Sequence, residues 1–111
     1  MDRLDEYRQI ILDVLEDHAR IPYSHGEIKS TVIVDRLQNN LLLMDVGWDG
    51  AKRIHGCVVH LEIIDGKIWI QRDGIEEGIT PELVAAGIPK DRIVLAFHPP
   101  HVRQYTGYAL A

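Results

Sequence analysis

Residues 60–71 read His60-Leu61-Glu62-Ile63-Ile64-Asp65-Gly66-Lys67-Ile68-Trp69-Ile70-Gln71, and this stretch decides the fold. Asp-Gly between two alternating runs marks a two-residue hairpin turn, because both turn positions need φ > 0. The turn sets a register: Ile64 opposite Lys67, Ile63 opposite Ile68, Glu62 opposite Trp69, Leu61 opposite Ile70, and His60 opposite Gln71. One face then holds Leu61, Ile63, Ile68 and Ile70, and the other holds His60, Glu62, Trp69 and Gln71. The turn rule does not contain that sorting into an apolar and a polar face, so the sorting supports the register.

Upstream, the same period of two runs back to Ile28. Ile28, Ser30, Val32 and Val34 form one set of a β-branched strand, and Leu41–Trp48 forms the next strand. In that second strand Leu42, Met44, Val46 and Trp48 are the more apolar set and are expected inside; Leu41, Leu43, Asp45 and Gly47 are expected outside. A third strand runs from about Arg53 to Ile64, with Cys57 on the inward set beside His55, Val59 and Leu61. Before all of these, Leu4, Tyr7, Ile10, Ile11, Val14 and Leu15 recur at helical spacing, which predicts a helix over about residues 2–19. Pro22 and Gly26 make residues 20–27 a loop.

Downstream, Asp73 and Glu76 have capping-box spacing for a short helical turn, and Thr80-Pro81-Glu82 starts a helix that Gly87 ends. Ile93–Phe97 is apolar at every position, as in a strand covered on both sides. His98-Pro99-Pro100 ends it, and a tyrosine-bearing tail follows to Ala111. The expected class is α+β. An N-terminal helix packs on a mostly antiparallel sheet of about five strands, with a second short helix before the last strand. Residues 1–111 suffice for one domain. The expected core contains Leu4, Ile10, Ile11, Val14, Leu15, Val32, Val34, Leu42, Met44, Val46, Val59, Leu61, Ile63, Ile68, Ile70, Val94, Leu95 and Phe97.

Twelve Lys and Arg against seventeen Asp and Glu leave a net charge of −5, the wrong sign for strong unaided binding to a phosphate backbone. No basic stripe interleaved with aromatics offsets it. The acidic N-terminus is unlike a signal or transit peptide, and no apolar run approaches the ~20 residues that cross a bilayer. A single cysteine, Cys57, fits a reducing cytoplasm.

The chemistry-bearing residues are few. Six histidines invite a metal reading, but His98 and His101 are held extended by two prolines, and His55 and His60 fall on opposite faces of a regular strand. No metal site and no cofactor is expected. Asp65-Gly66-Lys67 resembles a metal-nuclease triplet, yet the turn explains it. The polar hairpin face is a possible ligand face: His60, Glu62 and Gln71 cluster beside Trp69, and Asp45 joins them if its strand lies alongside. His60 near Glu62 is a potential acid/base pair. No nucleophile with an orienting third group accompanies it, so no catalytic residue is assigned.

Met44-Asp45-Val46-Gly47-Trp48-Asp49, then Arg53–His60, then Lys67–Asp73, and finally Phe97-His98-Pro99-Pro100 with Arg103, Tyr105, Thr106, Tyr108 and Ala109, resemble the XisI family. Its members are the cyanobacterial fdxN-element excision controlling factors. The likeness runs in order along nearly the whole chain. It implies a non-catalytic accessory in developmentally controlled DNA excision, working with a recombinase and an XisH-type companion protein. It carries over no catalytic residues. The alternative reading is a small enzyme or ligand-binding protein using the face around His60, Glu62 and Trp69. An enzyme site would be a concave pocket with converging polar groups, whereas an accessory would present a flat, apolar-centred patch.

Two further expectations concern partners. Leu41, Leu43 and Trp69, all assigned outward, suggest a homodimer. Trp69, His98, Arg103, Tyr105 and Tyr108 are the expected partner-binding residues, with the tail ordered by its prolines. On that view, alanine at Arg103 and Tyr105 would weaken partner capture and leave the melting temperature unchanged.

Overall fold

In the computed structural model, Asp65 and Gly66 take φ of 49° and 77°, as the hairpin reading requires. They join β3 (Lys52–Ile64) to β4 (Lys67–Asp73), and Ile64↔Lys67, Ile63↔Ile68, Glu62↔Trp69 and Leu61↔Ile70 all pair as expected. One pair differs. A bulge between His60 and Leu61 sets Arg72, not Gln71, opposite His60. The structure describes residues 3–111, so the predicted helix start at Asp2 lies outside the described residues.

The remaining elements are α1 (Leu4–Ala19), β1 (Glu27–Val34), β2 (Asn40–Asp49), α2 (Thr80–Ala86), a 3-10 turn (Lys90–Arg92), β5 (Ile93–Leu95) and α3 (Pro100–Arg103). The sheet order is β1-β2-β3-β4-β5. The first four strands form an antiparallel meander, and β5 runs parallel to β4. The connection through α2 is the reason: it returns the chain to the end where β4 began, as a helical crossover does. The capping-box spacing at Asp73 does not make a helical turn. Instead the Asp73 carboxylate accepts the Ile75 and Ile79 N–H groups at 3.1 and 2.8 Å, tying off the loop that leads into α2. Thr80 is the first helical residue and Ile79 occupies the cap, so the expected Thr80 cap is absent.

The core lies between α1, α2 and one face of the sheet. Tyr7, Ile11 and Leu15 descend from α1, Leu83 comes from α2, and Val59, Leu61, Ile63, Ile68 and Ile70 rise from the hairpin. Leu4, Ile10, Val14 and Val32 pack around it half-buried.

The largest correction concerns β2. Leu41 and Leu43 are 2% and 3% exposed and face the core, while Leu42, Met44 and Val46 lie on the opposite, uncovered face. The pairing Val34↔Leu41 and Val32↔Leu43 forces this, since residues paired across a ladder share a face. The Asp35 carboxylate holds the connecting turn by accepting the N–H groups of Asn39 and Asn40, both at 2.7 Å. These bonds keep its carboxyl below the usual carboxylate range. The expected dimer therefore loses Leu41 and Leu43 as contact residues. Val34 and Phe97 also leave the predicted core: both are exposed, Val34 at the sheet edge and Phe97 beyond β5, which ends at Leu95.

Candidate functional site

A second bulge creates the most distinctive surface. Leu43 pairs with Val59 but Met44 pairs with Cys57, so Val58 is an extra residue in β3. One inserted residue reverses the alternation before it. Cys57 and His55 therefore share the uncovered face with Met44 and Val46, and do not join Val59 and Leu61 in the core as expected. Burial pushes the Cys57 thiol up, against a smaller opposing effect of the Arg72 charge. A raised thiol is mostly protonated and a poor nucleophile.

The uncovered face divides into two halves. Towards β1, Ile33 (46% exposed), Leu42, Met44, Val46 and Trp48 (50% exposed) make an apolar strip, with the Arg53 guanidinium 5.1 Å from the Trp48 ring centre. Towards β4, the expected polar cluster is present, and each member is engaged by a neighbour. His60 Nε2 lies 2.9 Å from Asn40 Oδ1, Gln71 donates to Glu62 at 3.2 Å, and Arg103 stacks 5.3 Å from the Trp69 ring centre.

Asp45 is not part of that cluster. It points to the opposite face, 6% exposed, because it follows Leu41 and Leu43 in register. Its carboxylate accepts the Ser30 hydroxyl at 2.6 Å and the Tyr23 hydroxyl, so the loop before β1 is strapped to the sheet. Beside it lies a cleft of about 370 Å³ lined by His18, Ile21, Tyr23, Leu43, Val58 and Ile75, with His18 paired to Glu82 at 2.7 Å.

Donation to Asp45 raises the Tyr23 phenol to about 12, with burial adding to the effect. The folded protein holds this proton more tightly than the unfolded chain. The corresponding stability is full below the usual value near 10 and is lost as pH rises through about 12. In an alkaline titration followed by tyrosinate absorbance, one of the four tyrosines should ionise last. Asp45→Asn should bring that late step back towards the others; an unchanged curve would refute the strap.

The tail is ordered and folds against the sheet. Ala109 bridges to Val94, its N–H donating to the Ile93 carbonyl at 2.8 Å, and so covers the edge of β5. Arg103 Nε donates to the His98 carbonyl at 3.1 Å, and its terminal nitrogens reach the Ala96 and Leu110 carbonyls at 3.4 Å. Tyr105 is 81% exposed, whereas Tyr108 is half-buried with the Lys90 ammonium 5.8 Å from its ring centre. α3 ends at Arg103, and Gly107, at φ 81°, lies between the two tyrosines, so no helical turn aligns their rings. The His98 ring packs on Phe97, with centroids 4.6 Å apart.

The XisI protein family matches the chain over residues 1–110. The chain belongs to the XisI family. A crystal structure of an XisI-like protein from Anabaena variabilis ATCC 29413 superposes with a TM-score of 0.87 at 37% identity, covering 97% of this chain and 99% of that one. The fdxN element excision controlling factor XisI from the same organism superposes with a TM-score of 0.81 at 34% identity, covering 99% and 100%. No curated protein sequence matches.

Within this XisI-family fold, the residues singled out from sequence fall into two groups. His60, Glu62, Trp69 and Gln71 are brought together on one face, joined by Arg103 from the tail. Asp45, His98, Tyr105 and Tyr108 are not part of that group. The apolar strip Leu42-Met44-Val46 was assigned to the core, and only the β1–β2 turn register carries the signal that it is outside. Among the described residues no group of three or more His, Cys, Asp or Glu could hold a metal ion, and no helix is long and apolar enough to cross a membrane.

Arg103 is a strut in this arrangement, so its loss is expected to lower stability, in contrast to the expectation drawn from sequence. Arg103→Ala should cost about 1–2 kcal/mol through its lost carbonyl bonds and ring contact, whereas Tyr105→Ala alone should leave the melting temperature unchanged. Equal melting of both variants would contradict the strut.

Proposed function

We propose that this protein is a non-catalytic controlling factor in the excision of an fdxN-type DNA element, and that it acts in the cytoplasm by binding another protein. The observation that carries the reading is the uncovered β1–β3 face, an open sheet surface centred on Leu42, Met44, Val46 and Trp48. Large apolar side chains left in a row on an open sheet mark protein contact. Membership of the XisI family supports the excision role, as does the likeness to a solved fdxN element excision controlling factor over 99% of this chain. The net charge of −5 favours action through a protein over gripping a phosphate backbone. The partner in this reading is an XisH-type companion, with a recombinase acting downstream.

The test is an excision assay in the host, paired with co-purification of the tagged protein and the XisH-type companion. Met44→Asp with Val46→Asp should abolish both while the purified variant melts close to the parent. Normal excision in cells lacking the protein would refute the role, and undisturbed co-purification by the double variant would refute the surface.

A further inference from the structure

We propose that the uncovered face of β1–β3 docks an acidic segment of a protein partner, one whose apolar side chains lie on the Leu42-Met44-Val46 strip while its carboxylates meet a rim of cations. The inference rests on the protein-binding reading above and specifies the chemistry of what is bound.

The rim surrounds the strip on three sides. Lys29 of β1 sits opposite Val46, and Arg53 of β3 sits opposite Trp48. Arg72 of β4 donates from Nε to the Cys57 carbonyl at 2.9 Å, where Cys57 pairs with Met44. None of these three cations has a carboxylate within ion-pair distance among the described residues, although the chain as a whole carries an excess of acids. His55 adds a fourth basic group opposite Val46. Two carboxylates share the face: Glu27, across from Trp48 at the β1 end, and Glu62, which receives Gln71. Five further acids, Asp5, Glu6, Asp13, Glu16 and Asp17, lie on α1, away from this face, where Asp5 pairs with Arg8 and Asp17 with Arg20 at the helix end.

Charge complementarity therefore selects an acidic partner. Twofold pairing of this face with a second copy would crowd like-charged rims around one apolar centre. A nucleic acid would meet Ile33, Leu42, Met44 and Val46, which offer nothing to phosphate oxygens. Trp48 under Arg53 supplies both residue types that most often anchor protein interfaces.

The experiment replaces Thr31, exposed on this face opposite Met44, with the photoreactive p-benzoylphenylalanine in the host, then sequences whatever is cross-linked. Ala85, exposed on α2, serves as the control position. The expected result is a cross-link to a segment rich in Asp and Glu, absent from the Ala85 control. Lys29→Glu with Arg53→Glu should reduce the yield about tenfold, and if that variant does not fold, Lys29→Gln with Arg53→Gln should reduce it in the same direction. Cross-linking to a second copy, to DNA, or to a neutral or basic segment would overturn the proposal, and so would no cross-link. An acidic segment on a protein with no part in excision would sustain this surface and remove the excision role. Excision and co-purification that persist without any cross-link would do the reverse.

Discussion

Gly47→Ala is expected to detach the start of β1 from the sheet and to cost roughly 3 kcal/mol, the upper end of ordinary overpacking penalties. A Cβ at Gly47 would stand 2.0 Å from the Glu27 carbonyl oxygen, 2.7 Å from the Ile28 Cα and 2.9 Å from the Glu27 carbonyl carbon. All three are backbone atoms, so no side-chain rotation relieves the overlap and the strand itself must shift. Gly47 pairs with Ile28, and Ser30 two residues on is bonded to Asp45, so the displacement would also loosen the Tyr23 strap. Urea unfolding gives the stability change, and amide exchange should quicken across residues 27–31. Gly56→Ala is the matched control: a Cβ there meets nothing within 4 Å, so stability should change by no more than about 0.5 kcal/mol. A Gly47→Ala protein as stable as the control would mean that β1 does not lie where the register puts it.

Leu41→Ala and Leu42→Ala are expected to differ by several-fold in cost although the residues are adjacent and chemically identical. Leu41, 2% exposed, belongs to the core, and truncating it should cost about 2–5 kcal/mol. Leu42 lies half-buried on the open face, so its truncation should cost less than about 1.5 kcal/mol and should instead weaken partner capture. Paired denaturant curves decide the matter. The reverse order would place β2 one residue out of register, since a slip of one exchanges the two faces.

The β3–β4 hairpin was legible because a local turn and a period-two pattern agreed on one register, and the structure follows it down to Leu61↔Ile70. The helix α1 was legible for a similar reason: Tyr7, Ile11 and Leu15 fall on one stripe at helical spacing and need no distant partner to be recognised. The candidate site was only half legible. His60, Glu62, Trp69 and Gln71 follow from the hairpin, but the apolar strip beside them read as core because it is the more hydrophobic of the two sets in β2.

By itself, then, the sequence determined the order of the two main helices and five strands, the α+β class, the hairpin register and the face of α1 that is buried. All of these rest on contacts between residues close along the chain. Only the tertiary structure decided which face of β2 is inside, where Cys57 and His55 point, and that Arg103 braces the tail. Alternation separates a strand into two sets but cannot say which is covered when both are apolar. The turn held by Asp35 decides it for β2, and a single extra residue, Val58, reverses it within β3. The parallel pairing of β5 and the carbonyls that receive Arg103 likewise depend on where a crossover and a tail return to the sheet. Those last two outcomes depend on contacts between segments distant along the chain, and a local pattern of side chains holds no record of them.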